Sequence, residues 1–246
     1  MTAPTSSPTV ALIHGAFADS SGWNGVVELL QADGIAVQAI SNPLRGIAFD
    51  SAYAASALRQ IAGPVLAVGH SYGGAVITNA APEAANVVGL VYVAAFAPDE
   101  GETLGDIESG STDSVLNSAL QPVQFPVGKG DDTAVELLIA PEKFHDAFAA
   151  DVPVKDAAVM AATQRPVAEA AFGETNGTPG WRTLPSWAVV PAGDKAAGAD
   201  VLLNMAQRAG ATITEAEGSH VIMVSQPETV AQVIRQALAQ CSEVPM

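Results

Sequence analysis

The sequence predicts an α/β fold: about six parallel strands in a doubly wound sheet, with a helical cap inserted before the fifth core strand. Three observations predict it. Apolar runs of strand length alternate with helix-length segments as far as Val93, the pattern of a parallel sheet with helices on its faces. One of those runs, Pro64-Val65-Leu66-Ala67-Val68, ends in Gly69-His70-Ser71-Tyr72-Gly73, followed by small residues that can start a helix. The alternation stops after Ala97 and resumes near Pro185.

In chain order, strands are expected at Thr9–Ile13, Ile35–Ile40, Val65–Val68, Val87–Val93, Trp187–Val190 and Ala211–Thr214. Helices are expected between the first four, near Gly22–Asp33, Ser51–Ala62 and Tyr72–Ala85. Gly34 and Gly63 stand where helices end in a left-handed residue, and Asp50 stands as an N-cap. Only eight residues precede Thr9, which leaves no room for an opening antiparallel hairpin, so all six strands are expected to be parallel. Residues 1–96 and 186–246 are read as the two halves of the core and 97–185 as the insertion. Within the insertion Ala134–Ile139, Pro141–Ala149 and Asp156–Thr163 are short amphipathic pieces, read as a cap over the strand ends that covers Ser71. A helix near Asp200–Ala209 follows, and Ser225-Gln226-Pro227-Glu228 fits a capping box opening a last helix to about Cys241.

Composition narrows the function classes. A length of 246 residues suits one domain with a sizeable core. No apolar run approaches the ~20 residues that span a membrane, and Met1 to Pro8 lacks a basic, apolar leader, so the cytoplasm is the expected compartment. The single cysteine, Cys241, excludes an internal disulfide and has no nearby His or Cys for metal binding. A net charge of −16 opposes nucleic acid and anionic membranes as partners, since both need a positive field. Residues 97–185 carry 15 acidic and 5 basic side chains, read as a solvated surface that at most favours neutral or cationic ligands. A homodimer is compatible with all of this.

The Gly-His-Ser-Tyr-Gly segment describes a nucleophile elbow, a sharp strand-to-helix turn that lifts a serine oxygen above the sheet. Glycines are needed on both sides because the turn brings backbone segments close. A serine hydroxyl needs a base, and the chain offers four histidines. His70 lies inside the elbow, where its side chain is expected to point away from the reacting centre. His14 ends the first strand and is read as bonding the loop backbone, and His145 lies in a polar segment and reads as solvated. His220 follows a late strand in Glu217-Gly218-Ser219-His220, at the sheet end where catalytic groups gather, and is the candidate base. The acid that orients it is expected between serine and histidine in the chain. Asp194, first after the strand ending Val189-Val190-Pro191, fits best; Asp99 and Asp200 are the competitors. Oxyanion donors are expected from the N–H of Tyr72 and from Ala16, with Phe17 as fallback. Losing one such donor costs about 3 kcal/mol of transition-state stabilisation. Phe17, Trp23, Phe125, Phe144 and Phe148 are candidates for an apolar substrate wall or for plain core packing, with Phe17 the leading substrate contact. Arg45 is open between a substrate contact and an ion pair.

These motifs, taken together, resemble the α/β-hydrolase superfamily, and within it the plant methylesterase and hydroxynitrile lyase group with its bacterial esterase relatives. The resemblance rests on Leu12-Ile13-His14-Gly15-Ala16 with Trp23, the elbow through Gly74, Ala94-Ala95-Phe96-Ala97-Pro98-Asp99, Gly193-Asp194-Lys195, and Ser219-His220 with Met223. It implies a Ser71, Asp194, His220 triad, an oxyanion hole from Ala16 and Tyr72, no cofactor, and hydrolysis of a small neutral or aromatic carboxylic ester or a lactone through an acyl-enzyme. A carbon–carbon lyase and a non-catalytic ligand-binding protein are the alternatives on the same scaffold. The lyases of that group place a lysine after the histidine and a threonine after the first His-Gly; Val221 and Ala16 stand here instead and favour hydrolysis. The loop Lys195-Ala196-Ala197-Gly198 lacks the Ile-Pro common in relatives, which implies a looser setting for Asp194.

Overall fold

A computed structural model describes residues 7–243. In chain order it contains β1 (Thr9–Ile13), α1 (Asn24–Ala32), β2 (Val37–Ile40), α2 (Ile47–Arg59), β3 (Val65–His70), α3 (Tyr72–Ala80) and β4 (Val87–Val93). The insertion follows, with α4 (Leu104–Ser109), α5 (Leu116–Ala119), β5 (Leu120–Pro126), β6 (Thr133–Ile139), α6 (Pro141–Phe148), α7 (Val154–Thr163), β7 (Val167–Ala168) and α8 (Ala170–Gly173). The chain then returns as β8 (Ser186–Pro191), α9 (Ala199–Arg208), β9 (Thr212–Ala216), α10 (Ile222–Ser225) and α11 (Pro227–Glu243).

Six strands form one parallel sheet in the order β2-β1-β3-β4-β8-β9. The insertion therefore enters before the fifth core strand, as the break in alternation predicts. Every residue of β3 and β8 is buried, whereas β2 and β9, at the two edges, are partly exposed. That difference explains the sequence: central strands covered on both faces read as continuous apolar runs, and edge strands read weakly. Helices α1 and α11 pack on each other, with α11 lying on β4 and β8, while α2 packs on α3. Among the described residues no helix is long and apolar enough to cross a membrane.

Three local expectations need correction. Ala134–Ile139 is a strand, not a helix: it pairs antiparallel with β5 and β7 in a three-stranded sheet that accompanies the helices of the insertion. Its half-buried pattern is compatible with either period over six residues, and only the partner strands decide. Asp50 does not cap a helix beginning at Ser51, because α2 begins earlier, at Ile47 after Gly46 with φ +150°. The Asp50 carboxylate instead accepts from the Arg45 N–H at 3.1 and 3.0 Å, and Glu174 of the insertion accepts from the Ala48 N–H at 3.0 Å. Ser225 likewise closes no capping box; its hydroxyl donates to Asp151 at 2.7 Å. Gly34 and Gly63 adopt φ +74° and +81°, in the left-handed region their positions predict.

Candidate active site

Ser71 sits between β3 and α3 with φ +53° and ψ −124°, a conformation that is strained for a residue with a side chain. Its backbone is clamped at three points. Ser71 N–H donates to Val93 O at 3.2 Å, and Ser71 O accepts from Gly74 N at 2.9 Å and Phe96 N at 3.2 Å. The flanking glycines are required sterically: a Cβ on Gly73 would stand 2.5 Å from Ile13 O, and one on Gly74 the same distance from Phe96 O. Gly15 lies against the serine itself, with its Cβ position 2.6 Å from Ser71 Cβ. The elbow is thus held in its strained form by neighbours that leave no alternative.

Asp194 and His220 meet as expected. Asp194 Oδ2 accepts from His220 Nδ1–H at 2.6 Å, and both side chains are essentially inaccessible to water. Since the carboxylate fixes the proton on Nδ1, neutral His220 keeps its lone pair on Nε2. The other carboxylate oxygen, Oδ1, accepts from the N–H groups of Ala196, Ala197 and Gly198 at 3.0, 3.0 and 3.4 Å. The loop lacking Ile-Pro is therefore not loose: three backbone donors cinch it onto Asp194. The acid loop and the histidine loop are tied together by Ala192 N–H to Ala216 O and Gly193 N–H to Gly218 O. Neither competitor reaches the histidine, since Asp99 pairs with Arg182 at 2.5 Å and Asp200 bonds Ser111 and Thr112.

Ser71 Oγ has no hydrogen-bond partner among the described residues, so the structure joins acid to base but draws no bond from base to nucleophile. Ser71 and His220 are linked through His70, whose ring centroid lies 4.9 Å from that of His220. The expectation that His70 points away from the reacting centre is corrected here: its Nε2–H donates to the His220 main-chain oxygen at 3.0 Å. Burial, then the neighbouring His220, hold His70 well below the ordinary histidine range, so it is neutral. His14 bonds the loop backbone as its position suggests, donating to Gly15 O and accepting from Asn42 N–H, both at 2.9 Å. His145 is partly exposed and bonds Asp146 and Val152 O.

The N–H groups of Ala16 and Tyr72 donate to nothing among the described residues, and Tyr72 N–H is the first of α3, where no intrahelical acceptor exists. The Tyr72 side chain runs the other way, donating its hydroxyl to the buried Asp50 at 2.8 Å. Burial pushes the Asp50 carboxyl up, and the three donors contacting its oxygens, Arg45 N–H, Tyr72 O–H and Gly46 N–H, only partly offset that.

The aromatic candidates divide. Phe148, from α6 of the insertion, packs 4.9 Å from the His220 ring and edge-on to Phe17 and His70, with Phe144 behind it. Phe17 adopts φ +59° and lines a cavity of about 100 Å³ with Gly22, Met160, Gln164 and Met223. Trp23 is buried against His70 and serves the core. Phe125 stacks under Arg45 at 4.5 Å, and Arg45 pairs with Glu136 at 2.7 Å, so both tie the insertion to the core. Sequence reasoning missed Asp151, which accepts from the hydroxyls of Ser219 and Ser225 on either side of His220. Among the described residues no group of three or more His, Cys, Asp or Glu side chains is arranged to hold a metal ion.

Solved structures share this architecture. A pyrethroid hydrolase from Sphingobium faniae superposes with a TM-score of 0.76 at 21% identity, covering 96% of this chain and 99% of its own. Polyneuridine aldehyde esterase gives 0.76 at 19% identity, covering 97% and 100%. A methylesterase from Arabidopsis gives 0.75 at 18% identity, covering 95% and 99%. At these identities the likeness is one of fold. No curated protein matches the chain. A family model described as the alpha/beta hydrolase family matches residues 10–233, nearly the whole length, and the chain belongs to that family.

Proposed function

We propose that this chain is a serine hydrolase that cleaves carboxylic esters through an acyl-enzyme on Ser71. The observation that carries the reading is the buried 2.6 Å Asp194–His220 pair, in a chain whose Ser71 is held at φ +53° and whose His70, the residue before it, bonds the His220 main chain. A buried carboxylate on Nδ1 fixes the imidazole tautomer and stabilises the imidazolium that forms when Nε2 takes a proton.

In the proposed sequence His220 Nε2 removes the Ser71 proton as Oγ attacks the ester carbonyl. The oxyanion settles on the N–H groups of Ala16 and Tyr72, which donate to nothing among the described residues. The imidazolium then protonates the leaving alcohol. A water, deprotonated by the same Nε2, attacks the acyl carbon, and collapse of the second tetrahedral species returns the proton to Ser71. Every step uses groups of this chain and water.

The test is the mass of the intact protein after treatment with a fluorophosphonate, with peptide mapping. One adduct per chain on Ser71, absent in Ser71→Ala and His220→Ala, is the expected result. A wild-type protein that stays unmodified, or reacts equally well without His220, overturns the reading.

A further inference from the structure

Arg165 is a cation for which the scheme above has no use. It lies in the insertion between α7 and β7, partly buried, and its Nη1 donates to the Asn42 main-chain oxygen at 2.8 Å. The same nitrogen stands 3.4 Å from His14 Nε2. In a chain of 26 acidic and 10 basic residues, Arg45, Arg182, Arg208 and Arg235 each hold a carboxylate. Arg59, exposed, and Arg165, partly buried, hold none among the described residues, and Arg165 Nη2 and Nε donate to nothing there. A guanidinium drawn partly out of water without a counter-charge is costly, and its two free donors match the spacing of a carboxylate.

Its two neighbours bring no counter-charge: the Asn42 amide, 2% exposed, donates its nitrogen to His14 O at 3.2 Å, and His14 is neutral, burial first and then the Arg165 charge holding it down to about 4. The position also fits the reaction. His14 leads directly into Gly15, which packs on Ser71, and into Ala16 of the proposed oxyanion hole. Thr163 and Gln164, just before Arg165, line the cavity that Phe17 and Met223 also line.

We propose that Arg165 is a carboxylate-recognition subsite, so that the ester taken by Ser71 carries a second, free carboxylate. The substrate class is a half-ester of a dicarboxylic acid, and this assignment rests on the ester-hydrolase reading. The overall negative charge does not oppose it at contact range, because exposed charges beyond about 8 Å are screened at physiological salt.

The experiment compares kcat/KM for monomethyl succinate, glutarate and adipate with methyl butyrate, pentanoate and hexanoate. Wild type is expected to favour at least one half-ester about tenfold over its neutral counterpart, and Arg165→Gln to erase that preference while leaving neutral esters within about threefold. Arg165→Lys restores part of it, since an ammonium keeps the charge without the fork. Equal loss on both series, or a wild type that favours the neutral esters, overturns the subsite. A second measurement separates the two readings: calorimetric titration of succinate, glutarate and adipate into Ser71→Ala with and without Arg165→Gln. Binding that needs Arg165, with no ester turned over by wild type, keeps the subsite and removes the esterase. No Arg165-dependent binding, with neutral esters still hydrolysed, does the reverse.

Discussion

His70 donates from Nε2 to the main-chain oxygen of His220 at 3.0 Å, joining the residue before the nucleophile to the residue proposed as its base. The bond spans 150 positions of sequence. It sets where the histidine loop stands over the elbow, while Asp194 sets how the ring is turned.

Replacing His70 by alanine removes the one hydrogen-bond donor that this carbonyl has among the described residues and leaves a void under the His220 ring. The expected loss is about 1–3 kcal/mol, in stability and in the activation barrier for serine labelling. Urea unfolding and the rate of fluorophosphonate labelling read the two effects. Labelling as fast as wild type would mean that His220 is placed without His70.

Gly15→Ala places a methyl 2.6 Å from Ser71 Cβ and 2.9 Å from His70 O. Both neighbours are held by backbone bonds and cannot retreat, so the serine is displaced. A drop of about 100-fold in ester turnover is expected, the scale set by misplacing a reacting group by about an ångström. Gly34→Ala is the contrast, since its Cβ meets nothing within 4 Å and its cost is only that of φ +74°.

Asp151 clasps Ser219 and Ser225, on either side of His220, to the insertion. Burial would raise its carboxyl, but the hydrogen bonds from both serines outweigh that and hold it below the usual carboxylate range. Asp151→Ala is expected to lower stability by about 1–2 kcal/mol, a figure reduced for its solvent exposure, and to slow turnover as the histidine loop loosens. Asp146→Ala, in an exposed pair with His145, should change neither. The clasp's contribution is present above the unfolded carboxyl pKa and is lost as pH falls through the lower folded value. Thermal unfolding of the two variants at pH 7 decides the matter.

His14 and His70 make stability depend on acid. Each is buried and neutral, with its folded pKa below its unfolded one, about 4 against 6.5 for His14. Between those values the unfolded chain binds more protons, so stability rises with pH there and is fully present above about 6.5. For His14 alone the effect across the window is on the order of 3 kcal/mol. Urea midpoints should fall steadily from pH 7 to pH 5, and a flat profile would show that neither imidazole is sheltered as described.

The fold was legible because its signal is local and repeated. Buried strands such as Val65–His70 and Val87–Val93 need unbroken apolar runs, and the glycines around Ser71 are needed wherever that turn occurs. Asp194 and His220 were legible for a related reason: each follows a strand, and strand ends in a parallel sheet converge. What remained hidden depends on which segments of the insertion meet the core. Asp151, Glu174 and Arg165 look like ordinary polar residues in the sequence, and only contact with Ser219, Ala48 and Asn42 gives them a role.

By itself, then, the sequence determined the succession of strands and helices along the chain, the strained serine turn and the choice of Asp194 and His220 as a pair, since each is specified by neighbours a few positions away or by the end of a strand. The tertiary structure decided that Ala134–Ile139 is a strand, that His70 faces His220 and that Arg165 stands without a counter-charge among the described residues. Those outcomes depend on partners brought close from distant parts of the chain, where a six-residue pattern or a single side chain fits several environments equally well and packing alone selects one.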